Sequence, residues 1–279
     1  MGINNKIYNF ERDDFEMKQS DNLKPGESIF NRITRFFYLC VFISIILALT
    51  GAGFLGYVIK LVFELPDTAQ VKAMSAPNGI ALDYSQMPDF ISKALVASCD
   101  ENFYLHKGLD MEKLKIFAQK TYKNESIELS DRTITQNLAA IALKTPLENS
   151  GRLFNELGTF LKECLLSYKL ESKLKSKDKI LEIYFNNALF GENITGILQA
   201  SSIYFNKRPA ELSENECVTL TAILKTPGKL QSKNSVETLK SAKQSIIKKM
   251  TASKLIDENK GRELDSMRTK MYIPAEIEL

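Results

Sequence analysis

The sequence predicts a mainly α-helical protein headed by one membrane-crossing helix, and two observations carry that prediction. The first is the run "FFYLCVFISIILALTGAGFLGYVI" from Phe36 to Ile59, which contains no charged residue. At 1.5 Å per residue it spans the ~30 Å hydrocarbon core of a bilayer, and it lacks the polar face that a surface helix of a soluble protein would show. The second is that apolar residues recur at helical spacing from Pro88 onward, with few alternating, strand-like runs.

With 279 residues, 44% hydrophobic and 25% charged, the chain falls among folded proteins able to bury one substantial core. A net charge of +3 is too weak to point to nucleic acid. Cysteines 40, 99, 164 and 217 form no C-x-x-C pair and have no histidines beside them, so no zinc site is expected.

Residues 1–35 are polar, with "KPGE" at 24–27, and read as a flexible tail. Arg32 and Arg35 abut the start of the apolar run and only Lys60 abuts its end, so the positive-inside bias places 1–35 in the cytoplasm. The run lies too far from the start, and is too long, for a cleaved signal peptide. Ala48, Ala52 and Gly56 form a small-xxx-small ridge suited to self-association. Residues 60–85, with Pro66 and "APNG" at 76–79, read as a juxtamembrane stalk or small irregular element.

The domain from 86 to 279 follows. Pro88 suits a first helical turn, with Phe90, Ile91, Ala94 and Leu95 behind it up to Cys99. Asp110 can cap a second helix carrying Met111, Leu114, Phe117 and Ala118 on one face. Ile134, Leu138 and Ile141 mark a third. Phe154, Leu157, Leu161, Cys164, Leu165 and Tyr168 form a stripe that reads as core, which leaves Glu163 off it and solvated. Ser176 precedes "KDKILEIYF", Ser213 and Glu216 form a capping box, and Pro227 stops the helix they open. Amphipathic segments at about 235–253 and 257–271 close the chain.

Four blocks could carry chemistry. "DENFYLHKGLD" holds the only histidine, His106, together with Gly108 and a capping Asp110; a well-made helix–loop–helix turn is the plainer reading. "RTITQNLA" at 132–139 gathers Thr133, Thr135 and Gln136 at a helix start, where free N–H groups favour anionic oxygen; a plain N-cap is the alternative. Glu163 is the third. "ILEIYFNNALFGENITGILQASSIYF" at 180–205 is the fourth, turning at Gly191 and Gly196.

In order and spacing these blocks resemble the peptidoglycan glycosyltransferases of glycosyltransferase family 51. Asp100, Phe103, His106, Gly108 and Asp110 match that family's Glu-Asp-x-x-Phe-x-x-His-x-Gly-x-Asp motif. Thr133, Ile134, Thr135, Gln136 and Leu138 match Gly-Gly-Ser-Thr-Ile-Thr-Gln-Gln-Leu. Ile180, Leu181, Glu182, Tyr184, Asn186, Gly191, Gly196, Tyr204 and Phe205 match the fourth motif.

The resemblance covers about residues 86–270. It implies a lysozyme-like helical domain with a small jaw, anchored in the inner (cytoplasmic) membrane with the main domain outside. The implied substrate is lipid II, a disaccharide-peptide on a polyprenyl pyrophosphate, polymerised with inversion when a glutamate deprotonates the acceptor 4-hydroxyl. It further implies Glu163 and Asp100 as catalytic positions and His106, Gly108, Thr133, Thr135, Gln136 and Asn186 as substrate-binding positions. A divalent metal (Mg or Mn), membrane lipids and other cell-wall synthesis proteins complete the implied partners.

The departures fall on the reacting atoms. Cys99 stands at the general-base glutamate; Ser130, Asp131 and Arg132 replace Gly-Gly-Ser; Thr159 and Phe160 replace the Arg-Lys pair ahead of Glu163; Glu192 replaces a basic residue. Base assistance is worth about 10²–10⁴ in rate, and a thiol supplies it only if its pKa is lowered. Next to Cys99 the sequence offers only Asp100 and Glu101, which would raise it. Glu101 lies about 200° round a helix from position 99, badly placed to substitute. A Cys99–Cys164 disulfide would need Cα atoms about 4.4–6.8 Å apart and is not expected. Three readings stay open: an active polymerase, a relative that binds lipid II or cell-wall synthesis proteins without polymerising, and a lytic enzyme using Glu163 as a lone acid.

Overall fold

A helix, α1, runs from Pro25 to Glu64 in a computed structural model that describes residues 25–74, 81–123, 125–145, 153–226 and 235–272. The tail before 25, the "APNG" stretch, Pro227 and the side chains of Phe154 and Leu157 lie outside the described residues. Residues 25–35, expected as flexible tail, continue the helix. Pro25 suits a first helical turn, and each further residue fixed on an existing helix adds a backbone hydrogen bond. An 18-residue window of this helix has a mean hydropathy of 2.3 with none of it buried, so it is long and apolar enough to cross a membrane.

The chain divides at Ile59/Lys60 into this N-terminal unit and a helical domain. The described part of the 60–85 stretch, residues 60–74 and 81–85, expected as a stalk or small irregular element, belongs to the domain: Leu61, Leu65 and Val71 are buried. Asp67 caps α2 (Thr68–Ala73), and Lys162 and Lys169 pin the stretch through Glu64 (2.6 Å) and the carbonyl of Pro66 (3.1 Å).

The domain is built from α3 (Asp89–Cys99), α4 (Met111–Tyr122), α5 (Ile134–Leu143), α6 (Leu153–Leu174), α7 (Lys177–Asn187), α8 (Ile197–Phe205), α9 (Glu214–Lys225), α10 (Ser235–Ala252) and α11 (Glu258–Ser266). One small antiparallel hairpin, β1 (Leu189–Gly191) with β2 (Ile194–Thr195), sits between α7 and α8. Its core is mainly α-helical, as the spacing predicts.

Helix α3 is buried almost all round. Ile91, Leu95 and Cys99 join the main core with α5, α6, α7 and α9, while Ala94 and Ala97 meet Val218, Ala222, Ile246 and Met250 in a second cluster. That double burial is why the end of α3 is held rigidly, which matters for Cys99. The capping boxes Thr133/Gln136 and Ser213/Glu216 and the Ser176 cap form where the sequence places them.

Helix α6 differs from expectation. Its buried side chains are Glu163, Leu166, Ser167 and Leu170, whereas Tyr168 is 58% exposed and Leu161, Cys164 and Leu165 are only half-buried. The helix is turned by about two residues, some 200°, from the stripe read off the sequence. Ser167 is satisfied by the Glu163 carbonyl (2.6 Å), and Thr145 reaches Glu163, so polar residues on the inward face keep partners.

Candidate functional site

Beyond Cys99 the chain leaves α3 at Asp100, whose carboxylate is 1% exposed. It accepts from the N–H of Ile134 (2.8 Å) at the start of α5 and faces Nε2 of His106 at 3.1 and 3.2 Å. His106 Nδ1 accepts from the Gly108 N–H (3.1 Å), so the ring proton sits on Nε2 and is donated to Asp100. Asp110 caps α4 by accepting from the Glu112 N–H (2.8 Å) and is tied to Asn102 (3.0 Å).

Gly108 adopts φ +87°, and a Cβ there would lie 2.8 Å from the Ser167 carbonyl oxygen of α6. Its own carbonyl accepts from the Thr133 hydroxyl (2.7 Å), which locks the first block to the second. Gly108→Ala is therefore expected to cost at least about 2 kcal/mol, since left-handed strain adds to a backbone clash. Chemical denaturation measures this, and an unchanged midpoint would contradict the packing described.

The polar groups of the second block are engaged internally. Thr133 accepts from the Gln136 N–H (3.0 Å), Gln136 Oε1 accepts from the Thr133 N–H (2.9 Å), and Gln136 Nε2 points to Cys164 Sγ at 3.4 Å. Thr135 donates to Glu171 (2.8 Å), which also pairs with Lys177 (2.7 Å). Lys177 in turn donates to the His106 carbonyl (2.8 Å) and lies 4.4 Å over the Phe103 ring. Asn186 holds the 81–87 segment through Leu82, donating to its carbonyl (2.9 Å) and accepting from its N–H (3.2 Å).

Glu163 is fully buried, not solvated. Oε1 accepts from Thr145 (2.9 Å); Oε2 lies 3.2 Å from Arg132 Nε without hydrogen-bond geometry. Burial outweighs both partners and holds its carboxyl above the usual range. Arg132 is itself buried, 5.9 Å over Phe117, whose ring stacks on Phe160 at 3.8 Å.

Cys99 and Cys164 are free thiols. Burial pushes Cys164 up to about 12 and Cys99 above its ordinary value. Neither Asp100 nor Glu101 is the cause at Cys99. Three lysines, 113, 225 and 249, act on the thiol in the opposite direction, and desolvation prevails over them. Lys113 donates to the Cys99 and Ser130 carbonyls, and Lys249 to the Ser98 carbonyl (2.9 Å).

The family model for Transglycosylase matches residues 67–251, about two thirds of the chain and all four blocks. The chain belongs to the transglycosylase family. Among its relatives, penicillin-binding protein 1A of Neisseria gonorrhoeae is 32% identical over 169 residues, covering 61% of this chain and 20% of that protein. The proteins of that name from Rickettsia bellii and Rickettsia felis are each 26% identical, over 252 and 254 residues, covering 81% of this chain and 30% of theirs. The chain thus spans less than a third of the length of the curated relatives it matches.

Within the transglycosylase domain the site has two ends. One, at the end of α3, has Lys113 and Lys249 on the Cys99 and Ser98 carbonyls; the other, around Glu163, is closed by Arg132 and two stacked phenylalanines. Among the described residues no three His, Cys, Asp or Glu side chains converge, and Glu163 already faces Arg132 and Thr145. Sequence reasoning missed Thr145, Glu171, Lys177 and the three lysines. They come from elements remote in sequence and carry no local motif. Arg132 was visible as a departure inside the second block, though its pairing with Glu163 was not.

Proposed function

We propose that this chain is a membrane-anchored relative of the peptidoglycan glycosyltransferases that binds lipid II and does not polymerise it by base-assisted attack. The observation carrying the reading is the Cys99 side chain, a 2% exposed thiol with a raised pKa at the position of the family's base. At neutral pH such a thiol holds its proton and cannot take one from a sugar hydroxyl. The buried frame of Asp100, His106, Gly108 and Thr133 supports retention of the family's glycan-binding scaffold. A lytic role for Glu163 is disfavoured, because a fully buried carboxyl beside Arg132 has no path to a glycosidic oxygen.

In this reading α1 crosses the cytoplasmic membrane with residues 1–35 inside, and the domain works on the outer face beside membrane lipids and cell-wall synthesis proteins. Pairing of two copies through the Ala48–Ala52–Gly56 ridge belongs to the same reading. Full-length protein in detergent should retain labelled lipid II while forming no glycan chains beside an active control enzyme. Chain formation by the wild type at a rate comparable to the control overturns the proposal.

A further inference from the structure

His106 is the only histidine of the chain, and both of its ring nitrogens are committed. Nε2 donates to the Asp100 carboxylate, 3.1 and 3.2 Å from its two oxygens, and Nδ1 accepts from the Gly108 N–H at 3.1 Å. Only the neutral ring can do both, because a doubly protonated imidazole offers two donors and no acceptor. With the side chain 9% exposed, little water is at hand to replace a lost partner.

Charged groups reach this ring from several elements. Asp100 comes from the end of α3, and Asp110 caps α4 two residues beyond Gly108. Lys177 of α7 places its ammonium on the His106 carbonyl at 2.8 Å and is itself paired with Glu171 of α6. Lys107 is exposed, and α5 brings no charged side chain, only the Ile134 N–H that binds Asp100. Among these groups Asp100 faces the ring directly, and its carboxylate is suited to hold an imidazolium where the imidazole now lies. The ring can therefore charge without leaving its seat. What it cannot keep is Gly108, because a proton on Nδ1 points straight at the Gly108 N–H.

Gly108 is the residue able to respond. It has no Cβ and sits at φ +87°, so its backbone can turn where another residue would resist. Its carbonyl accepts from the Thr133 hydroxyl at 2.7 Å, and Thr133 in turn caps α5 by accepting from the Gln136 N–H at 3.0 Å. A change at the Gly108 N–H is thus one residue away from the joint between the first block and the second.

We infer that His106 is an acid-sensitive switch. A proton from water adds to the Nδ1 lone pair while Nε2 keeps its own proton on Asp100, the Gly108 N–H is displaced, and the Gly108–Thr133 joint loosens. The inference rests on the lipid II reading only for its consequence. The joint belongs to the frame that reading assigns to glycan binding, so lipid II retention should fall in acid while the two apolar clusters stay folded.

Histidine-selective ¹⁵N labelling of the full chain in detergent reports one ring, since there is no second histidine to assign. At about pH 8 Nδ1 should give the resonance of a ring nitrogen without a proton, and it should gain one as the pH falls to about 5, the range in which histidine titrates. Over the same range hydrogen exchange at the Gly108 amide, corrected for the intrinsic effect of pH, should quicken about tenfold or more, while amides of α9 and α10 keep their protection. His106→Asn offers the Gly108 N–H an acceptor that does not titrate, so its corrected exchange should be the same at both ends of the range. A proton on Nδ1 already at the alkaline end, a ring that stays neutral throughout, or a ring that charges while the Gly108 amide stays protected overturns the switch. Retention of labelled lipid II by the same samples separates the two claims. Loss in step with the ring titration ties the switch to that ligand, and equal retention at both ends overturns its bearing on the site. If the ring and the amide switch but lipid II is retained at neither end, the switch stands and the lipid II reading falls.

Discussion

Cys99→Glu is expected to raise glycan-chain formation from lipid II by about 10²-fold or more over the wild type. The substitution installs the carboxylate that motif spacing places there. Burial would push an isolated glutamate up and keep it protonated, but Lys113 and Lys249, held on the Cys99 and Ser98 carbonyls, favour its ionised form. The backbone is held for it, since Lys249 and Lys113 anchor the last two carbonyls of α3. Fitting the longer side chain into a filled site should cost about 1–3 kcal/mol of stability, a loss seen in thermal unfolding. Gel separation of labelled glycan chains reads the activity. Equal rates for an already active wild type and the variant would show that the reaction does not depend on a base at position 99. If Cys99→Glu stays silent, the Arg132–Glu163 end limits turnover, and Phe160→Lys in the same background should release it.

Arg132→Leu is expected to destabilise the domain by about 3–5 kcal/mol at neutral pH, because it leaves the Glu163 carboxyl buried without its cation. The pH dependence follows from the direction of the Glu163 shift. Its folded pKa is raised above the unfolded value, so its contribution to stability is full below the ordinary carboxylate range and is lost as pH rises through the folded value. Removing Arg132 raises that value further and deepens the loss. The gap between wild type and Arg132→Leu should therefore be small in acid and widest at neutral pH. Glu163→Gln in the Arg132→Leu background should recover most of it, because the side chain no longer needs to ionise. Urea denaturation across pH 4–8 measures these differences. A gap that does not change with pH would mean that the pair contributes through packing on Phe117 alone.

Much of this architecture was legible from local chemistry. The apolar run at 36–59, the Thr133/Gln136 and Ser213/Glu216 capping boxes and the Ser176 cap all use residues within a few positions of one another. Such patterns are complete within one turn of chain and form as read. The family motifs were legible for the same reason, since each is a short block of fixed spacing. Helix α6 was not. Its apolar residues mark one face, but the face it buries is set by what Arg132, Thr145 and neighbouring helices offer to Glu163 and Ser167. Periodicity locates a stripe; partners elsewhere in the chain decide whether a polar stripe can be buried instead.

What the sequence determined by itself is therefore the helical class, the apolar segment long enough to cross a membrane, the family scaffold and a cysteine, Cys99, where the family 51 motif has a glutamate. What only the tertiary structure decided is the electrostatic surroundings of that cysteine. Lys113 of α4 and Lys249 of α10, remote from position 99 in the chain, meet at the last carbonyls of α3, while Arg132 turns inward to Glu163. Charge acts through space over several ångströms, and the fold sets those distances between residues that the sequence keeps far apart.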